Sequence, residues 1–203
     1  MKIGEEQLFV VIRHGIGSDS ALSDGGRATI RRTGDVIDAL TKKALGAKKV
    51  ARILFSFSFF GRAVKSAQEL SRDNEDVVIT DLYLTERSEI DEPQRILKKV
   101  LKIADCYGAQ VIVVVAHGEM PAVLSETANE FVIGEKLPEK LPSPSEACGY
   151  IVSMKTGEVT SIGPDSLDEK PKDPVVQEIE VPGSVPKRIF TGDDNLEDDI
   201  VPF

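Results

Sequence analysis

Two apolar runs without a polar break constrain this chain more than any other feature. Leu8-Phe9-Val10-Val11-Ile12 leads through Arg13 to His14-Gly15, and Val111-Ile112-Val113-Val114-Val115-Ala116 leads to His117-Gly118. Runs rich in Val and Ile with no alternation are strands buried on both faces, as in parallel sheets covered by helices. His14 and His117 are the chain's two histidines. In open α/β sheets, ligands gather outside the carboxyl ends of the strands. If the two runs are parallel neighbours, both imidazoles emerge side by side at one sheet edge.

The rest of the pattern agrees with an alternating architecture. A strand over Leu8–Arg13 is followed by a loop and by a long helix to Leu45, with Ser23 as N-cap and Ile30, Gly34, Ile37 and Ala44 as packing positions. Gly25 and Gly26 weaken the first turn of that helix. Val50–Phe57 is a strand, and Gly61 or Arg62 opens a helix through Leu70. A short strand over Asp76–Asp81 precedes a helix over Glu92–Tyr107, with Pro93 in its first turn. A helix begins at Met120 after the second apolar run, and Lys136–Pro144, with three prolines, is an ordered loop. Tyr150–Met154 and Glu158–Ile162 flank Lys155-Thr156-Gly157 as a hairpin. Such alternation predicts a three-layer α/β/α domain with a mostly parallel central sheet.

Charge divides the chain differently. The net charge is −9; from Gly163 onward there are eleven acids and four bases, so −7 lies in the last segment and −2 in the rest. We therefore divide the chain into a domain over 1–162 and an acidic, proline-containing C-terminal extension over 163–203. Within the extension, Val175–Val181 alternates enough for one edge strand. No basic stripe is present to pair with nucleic-acid phosphates. No stretch reaches the roughly 18 apolar residues of a membrane span. Glu5 and Glu6 precede the first apolar run, unlike a secretory signal, so the expected location is the cytoplasm. Cys106 and Cys148 have no metal or redox spacing and are expected to be unpaired thiols.

Four segments carry candidate chemistry. In Arg13-His14-Gly15, a neutral imidazole can accept a phosphoryl group, and the adjacent guanidinium offers a planar fork of donors for its oxygens. Arg62 lies where a strand end feeds a helix, a position that a bound anion would explain. His117 can donate to a phosphoryl oxygen. Glu86, in Leu84-Thr85-Glu86-Arg87, is the chosen carboxylic acid to protonate a leaving oxygen, with Glu89, Asp91 and Glu119 as rivals. A two-histidine metal site with Glu119 as third ligand is an alternative, but no His-x-x-x-His or Cys spacing supports it.

Five ordered segments between Leu8 and Leu124 together resemble the histidine phosphatase superfamily, the phosphoglycerate-mutase-like proteins. Arg13-His14-Gly15 is similar to the family signature at the end of the first strand. Leu22-Ser23-Asp24-Gly25-Gly26 is similar to its Leu-Thr-x-x-Gly helix start, and Ser56 through Ala67 to its Ser-Ser-Pro-x-x-Arg-Ala-x-x-Thr-Ala segment. Leu84 to Arg87 is similar to the segment bearing the family's acid, and Val113 to Gly118 to its second-histidine strand. The resemblance implies that His14 is the phosphorylated nucleophile. It implies that Arg13, Arg62 and His117 form the phosphate pocket with it, and that Glu86 is the proton donor. It implies no metal and no cofactor. Short connections before Leu22 and between Arg62 and His117 resemble the bacterial phosphohistidine phosphatases, with Phe57, Phe59 and Phe60 as candidate pocket walls. The implied activity is metal-independent phosphatase chemistry on phosphohistidine protein or a small phosphate monoester. The alternative is a catalytically weak phospho-ligand binding protein on the same fold.

Overall fold

The computed structural model describes residues 7–18, 20–46, 51–56, 61–71, 77–79 and 93–166, with 77–79 as backbone alone. In chain order they form β1 (Leu8–Arg13), α1 (Asp24–Leu45), β2 (Arg52–Ser56), α2 (Gly61–Leu70), β3 (Val77–Ile79), α3 (Pro93–Cys106), β4 (Val111–Ala116), α4 (Met120–Ile133), β5 (Gly149–Ser153) and β6 (Val159–Ile162). One sheet takes the order β3-β2-β4-β1-β5-β6. Strands β1 to β4 are mutually parallel, whereas β5 pairs antiparallel with β1, and β6 antiparallel with β5.

The unbroken apolar runs are explained by burial on both sheet faces. Successive strand side chains point to opposite faces. Val10, Ile12, Leu54, Val113 and Val115 face one layer with Ile30, Ile37, Ala67 and Leu70 of α1 and α2. Phe9, Val11, Ile53, Phe55, Ile112 and Val114 face the other with Ile96, Val100, Leu124 and Ala128 of α3 and α4. This is the expected three-layer arrangement. No helix among the described residues is long and apolar enough to cross a membrane.

Local boundaries shift by a residue or two at strand and helix ends, where ladder bonds give way to turns. The hairpin strands are Gly149–Ser153 and Val159–Ile162. Tyr107 lies in the turn after α3 rather than in the helix. Ala44, expected to pack, is exposed, because the fully buried positions of α1 end at Ile37; beyond it the partly buried Leu40 and Leu45 pack against the core. Val50, Phe57, Asp76, Asp81, Glu92, the segment Val175–Val181 and all of 167–203 lie outside the described residues.

Ser23 caps α1 as expected, its Oγ accepting from the Gly26 N–H at 3.0 Å. The adjacent glycines have different reasons. A Cβ on Gly26 would overlap the Ile16 carbonyl oxygen, so this residue lets the β1–α1 loop lie against the helix. A Cβ on Gly25 would meet only Ser23 Oγ, at 4.0 Å. Gly26→Ala is therefore expected to destabilise the fold by about 1–3 kcal/mol. Gly25→Ala should be neutral or stabilising by up to about 1 kcal/mol. Chemical denaturation of the two variants checks both signs.

Candidate functional site

The register of two strands builds the centre of the site. β1 pairs β4 from Leu8↔Val111 to Arg13↔Ala116, so the next residues on each strand are His14 and His117. The His14 N–H donates to the Ala116 carbonyl at 3.1 Å, extending the ladder to this point. Neighbouring strands run about 4.8 Å apart. The two imidazole centroids are accordingly 4.3 Å apart, with planes tilted by 55°. Gly118, at φ +52, turns the chain out of the strand immediately afterwards, and the Met120 N–H closes this turn on the His117 carbonyl at 3.1 Å. That conformation favours glycine, which accounts for the His-Gly pair.

The exit of β1 is tied to the start of α2. The Gly15 N–H donates to Ser66 Oγ at 3.0 Å, and the Ser66 hydroxyl donates to the Arg62 carbonyl at 2.7 Å. Ser66 is fully buried. It thus fixes the first turn of α2, and with it the backbone of Arg62, against the histidine loop. β2 pairs β4 through Ser56↔Val115, so Ser56 reaches the same carboxyl edge. Its Oγ is buried and has no hydrogen-bond partner among the described residues.

His14 itself is 2 % exposed. Its Nδ1 lies 2.8 Å from the Gly15 carbonyl oxygen, which can only accept. Nδ1 therefore carries the proton, and the neutral ring presents its lone pair at Nε2. The pKa of His14 lies below 6.5. Burial is the largest cause; the bond to Gly15 opposes it, Arg62 and then Arg13 lower it further, and Glu146 raises it. The result is a desolvated, uncharged imidazole flanked by two guanidinium groups.

Arg13 leaves the strand toward the loop before β5. Its Nη1 donates to the Pro144 carbonyl at 3.2 Å, and its Nη2 pairs with Glu146 Oε1 at 3.4 Å. Its Nε is buried and has no partner among the described residues. Of the expected site residues, the structure thus brings Arg13, His14, Arg62 and His117 to one sheet edge. Glu86 lies outside the described residues, as do Glu89, Asp91, Phe57, Phe59 and Phe60. Glu119 is exposed at the N-cap of α4 with no capping bond from its side chain. Among the described residues, no group of three His, Cys, Asp or Glu side chains is placed to hold a metal ion. Cys106 and Cys148 are free thiols.

Sequence reasoning assigned no role to Ser56, Ser66 or Glu146. Ser66 and Ser56 stood inside a recognised segment, and only the fold shows what they touch. Glu146 had a usable signal. An antiparallel strand that joins a parallel sheet begins at the edge where its neighbours end, so the residues before Gly149 had to arrive beside Arg13 and His14.

Two measurements check this description. The imidazole of His14, followed by NMR, should titrate with a midpoint below 6.5. The sign for stability follows: the unfolded chain takes up the proton first, so this residue makes the fold less stable as pH falls from 6.5 through the folded-state value. Ser66→Ala leaves the buried Gly15 N–H without its acceptor and should cost about 1–3 kcal/mol in denaturation.

No family model matches the chain, and no curated protein matches it in sequence. Solved structures do share its architecture. A SixA protein from Nakamurella multipartitia, assigned as a phosphohistidine phosphatase, superposes with a TM-score of 0.52 at 15% identity over 79% of this chain and 95% of that one. A mycobacterial glucosyl-3-phosphoglycerate phosphatase superposes with a TM-score of 0.50 at 16% identity over 76% of this chain and 96% of that one. The register that pairs two histidine-bearing strand ends is thus set in a known scaffold, and the chain shares the fold of these two structures.

Proposed function

We propose that this chain is a metal-independent phosphatase that works through a phosphohistidine at His14. The observation that carries this reading is the tautomer of His14: the Gly15 carbonyl takes the Nδ1 proton, leaving Nε2 as a neutral nucleophile beside His117. Phosphoryl transfer needs little from the protein beyond positioning and neutralisation of the equatorial oxygens. Arg13 Nε, Arg62 and His117 supply donors of the right type. The substrate is phosphohistidine protein or a small phosphate monoester. Relatives in fold include one protein assigned to the first kind of substrate and one named for a phosphorylated sugar derivative, which supports this range.

The chemistry balances in two steps. His14 Nε2 attacks phosphorus, the bond from phosphorus to the leaving atom breaks, and the leaving atom of an ester takes a proton from an acid, for which Glu86 is our choice. Water then attacks the phosphohistidine, the P–N bond breaks, the acid recovers its proton, and His14 returns to its neutral form with inorganic phosphate released. Purified protein is expected to hydrolyse p-nitrophenyl phosphate in the presence of a metal chelator. His14→Ala should lower kcat by about 10³-fold or more. Arg62→Ala should lower kcat/KM by roughly 10²-fold. Full activity in His14→Ala would overturn the mechanism.

A further inference from the structure

Glu146 has no part in the two steps above, yet among the described residues it is a carboxylate in contact with the site, through Arg13. Its Oε1 pairs with Arg13 Nη2 at 3.4 Å, and that is its polar contact among the described residues, so Oε2 is left for solvent or ligand. The side chain is 40% exposed, against 28% for Arg13.

The turn that carries Glu146 is tightly fixed. The next residue, Ala147, is fully buried and sits at φ 60, a left-handed conformation that costs a non-glycine residue free energy and persists only where its surroundings enforce it. Here they do. The Ala147 N–H is shared between the Arg13 and His14 carbonyls at 3.1 Å each, and the Ala147 carbonyl accepts from Thr33 Oγ1 of α1 at 2.7 Å. The Cys148 carbonyl accepts the Arg13 N–H at 2.8 Å. The residues that follow Glu146 are therefore bonded to the backbone of Arg13 and His14, which holds Glu146 within reach of the Arg13 guanidinium.

We propose that Glu146 sets the charge preference of this site, favouring phosphoryl groups carried on neutral or cationic groups over those carried on anionic ones. The inference rests on the phosphate-site reading of His14, Arg13 and Arg62. Arg13 pairs with Glu146 at 3.4 Å, and these two groups together with Arg62 bias the charge of His14, where the proposed phosphoryl group would sit. A bound phosphoryl dianion outweighs the net positive charge of that set. A second anionic group on the ligand then meets a surplus of negative charge, part of it on Glu146, while a cationic group meets an attractive field. Because Glu146 is half-exposed, the effect is modest. Partly exposed charge pairs correspond to roughly two- to fivefold in affinity.

The test uses three phenylphosphonates that differ only at the para position, bearing carboxylate, methyl or aminomethyl. Calorimetry on the full chain is expected to rank aminomethyl tightest and carboxylate weakest, with steps of roughly two- to fivefold. Glu146→Gln, which keeps the shape and a hydrogen-bond acceptor for Arg13, should compress that ranking. The wild-type ranking should also shrink between about 0.02 M and 0.5 M salt as exposed charges are screened, a readout that needs no variant. An unchanged ranking in Glu146→Gln, or a wild-type ranking indifferent to charge or salt, overturns the proposal. Failure of the wild type to bind inorganic phosphate or any of the three overturns the phosphate-site reading itself, and the two failures are thereby distinct.

Discussion

The parallel pairing of β1 with β4 is the constraint on which the site depends. Its register ends at Arg13↔Ala116, and everything chemical lies one step beyond. Shifting that register by one residue would send every side chain of β1 to the opposite face. The buried sets on the two faces forbid this, because Val10 and Ile12 fill one layer while Phe9 and Val11 fill the other. The hydrophobic core thereby fixes the positions of two imidazoles that are far apart along the chain. Their proximity follows from core packing and needs no direct bond between the rings.

A second set of contacts turns proximity into a defined chemical state. The Gly15 carbonyl fixes the tautomer of His14, and Ser66 fixes the loop that presents that carbonyl. Burial keeps the ring uncharged, and the guanidinium groups of Arg62 and Arg13 reinforce that state. The same guanidinium groups are suited to the oxygens of a phosphoryl ligand. In the proposed mechanism, one arrangement thus serves both His14 as nucleophile and the anion that it would attack. On the far side of Arg13, the strained turn at Ala147 brings a carboxylate against the pocket, where it limits how much further negative charge a ligand can carry.

Much of this was legible in the sequence because strand burial and local turn chemistry leave strong signals. Unbroken Val and Ile runs predicted a sheet covered on both faces, and a histidine before glycine at each run's end predicted the shared edge. Ser23 announced the start of α1. The weak helix start at Gly25 and Gly26 was legible only as a weakness. That Gly26 is required by the Ile16 carbonyl, whereas Gly25 is not, depends on a loop folding back on the helix. Ala44 was misplaced because helical spacing does not tell where along a 22-residue helix full burial stops, here at Ile37. Glu146 was missed because its contact with Arg13 spans most of the chain and follows from an antiparallel strand joining a parallel sheet. The signal lay in that topology and not in spacing along the chain.

The central claim is that Nε2 of His14 becomes covalently bonded to phosphorus during turnover. The direct measurement is to quench the protein during hydrolysis of a phosphate ester under alkaline conditions, which preserve phosphohistidine, and to locate the added phosphoryl group by mass spectrometry and ³¹P–¹⁵N coupling. The account predicts a single phosphoryl group on Nε2 of His14. A phosphoryl group on another residue, or turnover with His14 unmodified throughout, would contradict it.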